Sequence, residues 1–197
     1  MQQFLDRAAI VEVVQNWALW RDTGRWDELR ATYTPDGTMH TTWFVGPAAE
    51  FVARSSEAAK KGTRSQHFIG AATVEVKGER AIAETRMILL LRAPLQGIEV
   101  DVTCYGRFYD FFLRLENAWR IRKRVPIYEK SRLDPVDPSS TLKLDAAELA
   151  RYPEGYRYVA YLQASAGTRI TPDLPTPNSA ALARLYEEGR AWLSQNS

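Results

Sequence analysis

Apolar residues recur every three to four positions at the start of the chain and every second position through its middle. Ile10, Val13, Val14, Trp17 and Trp20 form one stripe, which predicts an amphipathic helix over 5–22. Asp6 is placed to cap it and Gly24 to end it. Trp26, Leu29 and Tyr33 share a face of a second, short helix with Asp27 and Glu28 in its first turn, where the dipole favours acids. TPDGT, residues 34–38, reads as a turn leading into a short strand around Met39–Trp43. Pro47 opens a third helix, about 47–60, stopped at Lys60-Lys61-Gly62.

After Gly62 the period changes. Segments 64–77, 79–92, 98–115 and 118–129 are strand-like and are separated by KGE, APLQG and LENA, of which KGE and LENA are hairpin-sized. Val100, Val102 and Cys104 alternate with their neighbours, as do Trp119 and Ile121. Gly70 and Gly106 inside strands are expected bulge sites that let long strands curl. Helices followed by an antiparallel meander give an α+β class: a cone-shaped curved antiparallel sheet packed on N-terminal helices. Val74, Val76, Ile82, Leu89 and Leu91 are expected on the sheet's exposed face, which predicts a homo-oligomer, a dimer or a trimer.

The texture shifts again at SRLDPVDPSS, so the chain divides into a domain over 1–130 and a C-terminal extension over 131–197. The extension carries Tyr152, Tyr156, Tyr158, Tyr161, Tyr186 and Trp192, too many aromatics for a solvated tail. It is too short for its own core. It is therefore expected to dock on the domain or on a neighbouring subunit, with Pro172, Pro175 and Pro177 as a stiff spacer and its first part as a lid over the open end of the cone.

Composition narrows the partners. A net charge of +2 over 197 residues gives no nucleic-acid or membrane signal. The longest apolar run, MILLL at 87–91, is far short of a membrane span. No signal-peptide pattern opens the chain and Cys104 stands alone, which fits the cytoplasm. Two histidines separated in sequence, with no H-E-x-x-H, predict no metal site. Phosphate loops and G-x-S-x-G elbows are absent, so no cofactor is expected.

The stretch WALWRDTGRWDEL, residues 17–29, holds the first chemical candidate. Asp22 falls at a helix C-terminus, where the dipole disfavours an acid, and it sits among three tryptophans. Thr23 and Asp27 are candidates for local capping instead.

RDTGRWDELRATYTPDGTM, SQHFIG, GRFYDFF and AWRIRKR, in this order, resemble the nuclear transport factor 2-like superfamily. More narrowly, they resemble its SnoaL-like branch, with scytalone dehydratase and hexachlorocyclohexane dehydrochlorinase relatives. The resemblance covers roughly residues 5–130 and implies an Asp at the end of helix one orienting a general-base His on a facing strand. These fall on Asp22 and His67. It also implies a pocket arginine from the last strand, which falls on Arg124; the position of the dehydrochlorinases' pocket lysine holds Trp17.

His67 titrates near neutrality, so it can take and return a proton; the alternative is a buried histidine satisfied by hydrogen bonds. A pocket Arg124 would hold a developing enolate or a substrate carboxylate, whereas Arg120 and Arg122 suit a solvated face. Tyr105 is a candidate donor to a substrate oxygen, and Asp101 a second acid whose pKa an apolar cone would raise. Trp17, Trp43 and Phe68 are candidate pocket walls, and His40 a structural or rim residue. The predicted activity is cofactor-free proton abstraction on an apolar small molecule, followed by elimination or isomerisation. The alternatives are a non-catalytic binder of a hydrophobic ligand and an accessory subunit of a ring-hydroxylating oxygenase.

Overall fold

The computed structural model describes residues 1–195. Three helices come first: α1 (Gln2–Thr23), α2 (Trp26–Ala31) and α3 (Ala48–Lys60). They pack on one six-stranded sheet of β1 (Tyr33–His40), β2 (Val45–Pro47), β3 (Arg64–Lys77), β4 (Arg80–Leu95), β5 (Ile98–Leu115) and β6 (Ala118–Pro135). The spatial order is β2-β1-β6-β5-β4-β3. All neighbours are antiparallel except β1 and β6, which run parallel and tie the chain's first strand to its last. The sheet is therefore mixed, curved and unclosed, an α+β fold.

Local chemistry explains most boundaries. Gly24 ends α1 in the left-handed conformation, its N–H returning to the Trp20 carbonyl. Helix α1 starts at Gln2, so Asp6 does not cap it; the Asp6 carboxylate is buried, pairs with Arg114 and accepts from the Trp119 indole. Gln96-Gly97 and Glu116-Asn117 turn their hairpins with both residues at positive φ, the twist that two-residue turns need. The register shifts at Gly70 and at Gly106, where a Cβ would collide with the Ile127 carbonyl. TPDGT is not a free turn: it lies inside β1, in a register shift between Tyr33 and Thr38. SRLDP likewise lies inside β6, not in a linker.

The inner face of the sheet holds the main core. Ala81, Ala83, Met87, Val102, Cys104, Phe108 and Phe112 meet Ile10, Val14, Trp17 and Phe51 from the helices. Val74, Val76, Leu89 and Leu91 also point to this core, which corrects their expected place on the exposed face. Ile82 does face outward, but it is covered.

Two further regions complete the packing. Helices α4 (Ala146–Ala150) and α5 (Arg157–Ser165), with the 3₁₀ turn Glu154–Tyr156 between them, add Tyr156, Val159, Ala160, Tyr161 and Leu162 to the inner core. Thr42 and Gln163, and the Tyr128 N–H and the Pro175 carbonyl, anchor this segment. Helix α6 (Ala180–Ser194), capped by Ser179, lies on the outer face and buries Ile82, Tyr109, Phe111, Val125 and Ile127 with Leu185 and Leu193. Among the described residues no helix is long and apolar enough to cross a membrane.

Candidate active site

The last turn of α1 runs alongside β3, which brings Asp22 to His67. One carboxylate oxygen of Asp22, Oδ2, accepts the His67 backbone N–H at 2.5 Å. The other, Oδ1, lies 2.7 Å from Nδ1 of the imidazole. A carboxylate can only accept, so Nδ1 carries the proton and Nε2 presents its lone pair. Nε2 has no hydrogen-bond partner among the described residues. The side chains of His67 and Asp22 are 10% and 14% exposed, a half-sealed pair. Burial pulls the imidazole below its usual pKa, with the Asp22 hydrogen bond partly opposing it. The ring is therefore neutral at pH 7, in the basic form.

Aromatic rings surround this base. Trp17 meets the imidazole edge-on at 5.3 Å between centroids, and Phe108 lies 6.1 Å away. The Trp17 indole donates to the Tyr33 hydroxyl at 2.8 Å, which fixes its plane. Arg124 reaches the same aromatic pair from β6, its guanidinium 4.2 Å from the Trp17 centroid and 4.1 Å from that of Phe108. It is fully buried and bound bidentately to Asp110, at 2.7 and 2.6 Å. Its third nitrogen, Nη1, is buried without a partner. Arg124 is thus an interior residue, while Arg120 and Arg122 bond backbone carbonyls of Ala31 and Asp36 near the surface.

Two expected site residues lie on the other face of the sheet, and a third, Asp101, stands in the wall of the cleft that also holds Asp22 but is engaged by an arginine. Tyr105 is on the outer face, under the ammonium of Lys130, because successive strand residues alternate and its neighbour Cys104 faces the core. Phe68 follows His67 directly, so it also points outward, and it is 70% exposed. Asp101 forms an exposed bidentate pair with Arg92 at 2.7 Å. The hydrogen bond to that guanidinium holds its pKa below the usual range, the reverse of the rise an apolar cone would cause. Trp43 is in the inner layer and stacks on Phe51, which in turn stacks on Trp17, so it supports the site through two rings. His40 is partly buried near Lys123 and Glu188, and burial takes its pKa down to about 4.

A cleft of about 740 Å³ opens beside the pair, with Asp22 in its wall. Every residue lining it lies between Arg21 and Thr103, so the C-terminal extension does not roof it. His67 stands behind Asp22 and lines neither this cleft nor the two other hollows, of about 550 and 290 Å³, which also lack Asp22. Among the described residues no group of three or more His, Cys, Asp or Glu side chains could hold a metal ion.

Residue by residue, then, a helix-end acid orients a strand histidine toward an aromatic interior behind a half-open cleft. Residues 2–125 match the family description of the SnoaL-like domain. The chain belongs to the SnoaL-like family. Pea pathogenicity protein 2 of Fusarium vanettenii is 30% identical over 200 residues, covering 96% of this chain and 86% of that protein. Among solved structures, a putative scytalone dehydratase from Novosphingobium aromaticivorans is similar at a TM-score of 0.58 and 13% identity, over 72% of this chain and 97% of that one. The β subunit of a putative aromatic-ring-hydroxylating dioxygenase from the same organism is similar at 0.54 and 17%, over 74% and 95%. At these identities the two structures share the fold with this SnoaL-like chain, and fold alone does not assign chemistry.

Sequence reasoning missed Asp110. Its signal was present: an acid inside the apolar run FYDFF needs a buried partner, and the IRKR strand supplies Arg124.

Proposed function

We propose that the protein is a cofactor-free lyase or isomerase of small apolar molecules. The observation that carries this is the 2.7 Å contact of Asp22 with Nδ1 of a half-buried His67 whose Nε2 is unpartnered. In this reading Nε2 takes a proton from a carbon next to a carbonyl, and the electron pair moves onto the carbonyl oxygen. Asp22 holds the tautomer and stabilises the imidazolium that forms. The imidazolium then returns its proton, either to another carbon, which isomerises, or to a departing hydroxyl, which leaves as water. The guanidinium of Arg124, whose Nη1 is unpartnered, favours the developing negative charge, and Trp17 and Phe108 keep its surrounding at low dielectric.

The division into a site-bearing unit, 1–130, and a docked extension, 131–197, belongs to the same proposal, supported by the extension's place in the inner core and on the outer face. So does a homodimer. The part of the outer face that α6 leaves bare carries Phe68 and Leu90, 70% and 36% exposed, and a second copy would cover it. A non-catalytic binder or an accessory subunit remains the second reading, supported by the fold shared with the dioxygenase β subunit.

The test is solvent deuterium exchange. Wild-type protein and His67→Ala are incubated in D₂O with a panel of cyclic ketones and β-hydroxy ketones, each with and without a carboxylate, and mass spectrometry follows label uptake and water loss. Turnover by wild type that His67→Ala lowers by about 10²–10⁴-fold supports the general base. Equal rates for the two proteins across the panel, or none, leave the binder and subunit readings.

A further inference from the structure

Arginine 21 stands apart from most of this protein's arginines. Eleven others pair with a carboxylate. Arg21 is partly buried, yet it makes no hydrogen bond or ion pair with any described residue. Its guanidinium lies instead 5.7 Å from the Trp26 centroid and 5.9 Å from that of Phe51. No Arg21 nitrogen is a buried orphan, so the guanidinium keeps its donors free for a ligand while its flat faces lie against the rings.

The surroundings say what that ligand is. Arg21 lines the 740 Å³ cleft, next in sequence to Asp22. The carboxylates lining this cleft are already engaged: Asp22 by His67, and Asp101 by Arg92. With His67 neutral, Asp22 keeps its charge and attracts Arg21 through space, but neither carboxylate bonds a nitrogen of Arg21 or of the exposed Arg64, and the lining's three arginines outnumber its two acids. Ser65, also in its lining, has a buried hydroxyl without a partner. Trp26, Leu91 and Val102 supply apolar wall. The volume is that of a small-molecule site, and a guanidinium fork matches a carboxylate bidentately.

We propose that this cleft takes a cyclic or aromatic carboxylic acid, whose carboxylate is held by Arg21 while its apolar ring lies on the Trp26 side. The inference rests on the proposed use of the cleft as the substrate entrance to His67, and it narrows the substrate class to carbonyl compounds that also carry a carboxylate. Because Arg21 and Asp22 are consecutive, anchoring the acid at Arg21 keeps the rest of the molecule beside the pair.

Binding can be read without turnover. Tryptophan fluorescence of the full chain is titrated with 2-naphthoate and with its neutral isostere 2-naphthamide. The expected result is binding of the acid at least about tenfold tighter than the amide, about 1.4 kcal/mol. Arg21→Met is expected to remove that preference, Arg21→Lys to retain part of it, and Arg64→Gln to change it less than about threefold, as a screened surface charge should. His67→Ala is expected to keep the preference, so a failed general base and a failed anion clamp give different results. Equal affinity for acid and amide in the wild-type chain overturns the proposal, as does a preference that survives Arg21→Met. Absence of quenching by the acid at millimolar concentration also overturns it. The wild-type comparison stands whether or not Arg21→Met folds.

Discussion

Two carboxylate pairs border Trp17, and they share almost the same distance but not the same surroundings. Asp110 meets Arg124 at 2.6 Å with both side chains at 0% exposure; Asp22 meets His67 at 2.7 Å with 14% and 10% left open. The first joins adjacent strands, two oxygens to two nitrogens. The second joins a helix end to a strand, and one ring nitrogen is left over. Removing one partner of a sealed pair strands a charge in the core. Removing one partner of the open pair mainly changes which nitrogen holds a proton. The contrast separates a pair sealed between two strands from a pair that leaves one ring nitrogen unpartnered, as the proposed proton transfer requires.

Asp22→Asn should have the largest effect. The amide can donate to Nδ1, which moves the imidazole proton to Nε2 and removes the base, so turnover of any substrate found should fall by about 10²–10⁴-fold. A fall of less than threefold, with a native circular dichroism spectrum, would abolish the distinction between the pairs.

Asp110→Ala should act on stability instead. It leaves the Arg124 guanidinium buried and unpaired, at a cost of about 3–5 kcal/mol, measured by urea unfolding. Asp110→Leu combined with Arg124→Met should recover most of that loss, because neither charge remains to be desolvated. If the double replacement is as unstable as the single one, the sealed pair is more than a structural tie.

Acid should distinguish the histidines from both arginine and aspartate. The folded-state pKa values of His67 and His40 lie below the ordinary value of about 6.5, that of His40 at about 4. Between those limits the unfolded chain binds protons that the folded chain refuses, so stability should fall as pH drops through that window. Melting curves recorded from about pH 7 to pH 4 test this, and His40→Asn should flatten part of the slope. Turnover that depends on neutral His67 should hold steady at pH 7 and fall with a midpoint below about 6.5.

The smallest effects are expected on the other side of the sheet. Tyr105→Phe and Phe68→Ser should leave turnover within about twofold of wild type, since neither side chain reaches the inner face. A tenfold loss in either, measured in the same assay, would put the site on both faces.

Much of this geometry was legible before any coordinates. The helix stripe, the change of period at Gly62, and the bulges at Gly70 and Gly106 follow from local rules that the tertiary structure does not override. Asp22 stood out because an acid set against a helix dipole is costly without a partner, whereas His67 was picked out only by the family resemblance. The side assignments in β3, β4 and β5 were harder. The second half of β5 is buried on both faces, Phe108 and Phe112 against the helices and Tyr109 and Phe111 under α6, so the alternation visible at Val100–Cys104 is lost there. Phe68 was decidable from its neighbour alone, because two consecutive strand residues cannot both face one cavity. Composition showed that the aromatic C-terminal segment needed cover, but not that its two parts separate to opposite faces of one sheet.

Helix α6 reaches the outer face from far along the chain. Gly189 passes so close over Tyr109 that a Cβ there would overlap its ring, and Leu185 and Leu193 close the patch made by Ile82, Phe111, Val125 and Ile127. During synthesis the strands of that patch emerge first. At about 5–20 residues per second, they wait several seconds for their cover. For that interval the nascent chain displays a bare apolar strip on hydrogen-bonded strands, the kind of surface that chaperones hold and that neighbouring chains adhere to. Messages cut short before α6 should therefore yield polypeptides that clump rather than ones that merely lack a helix.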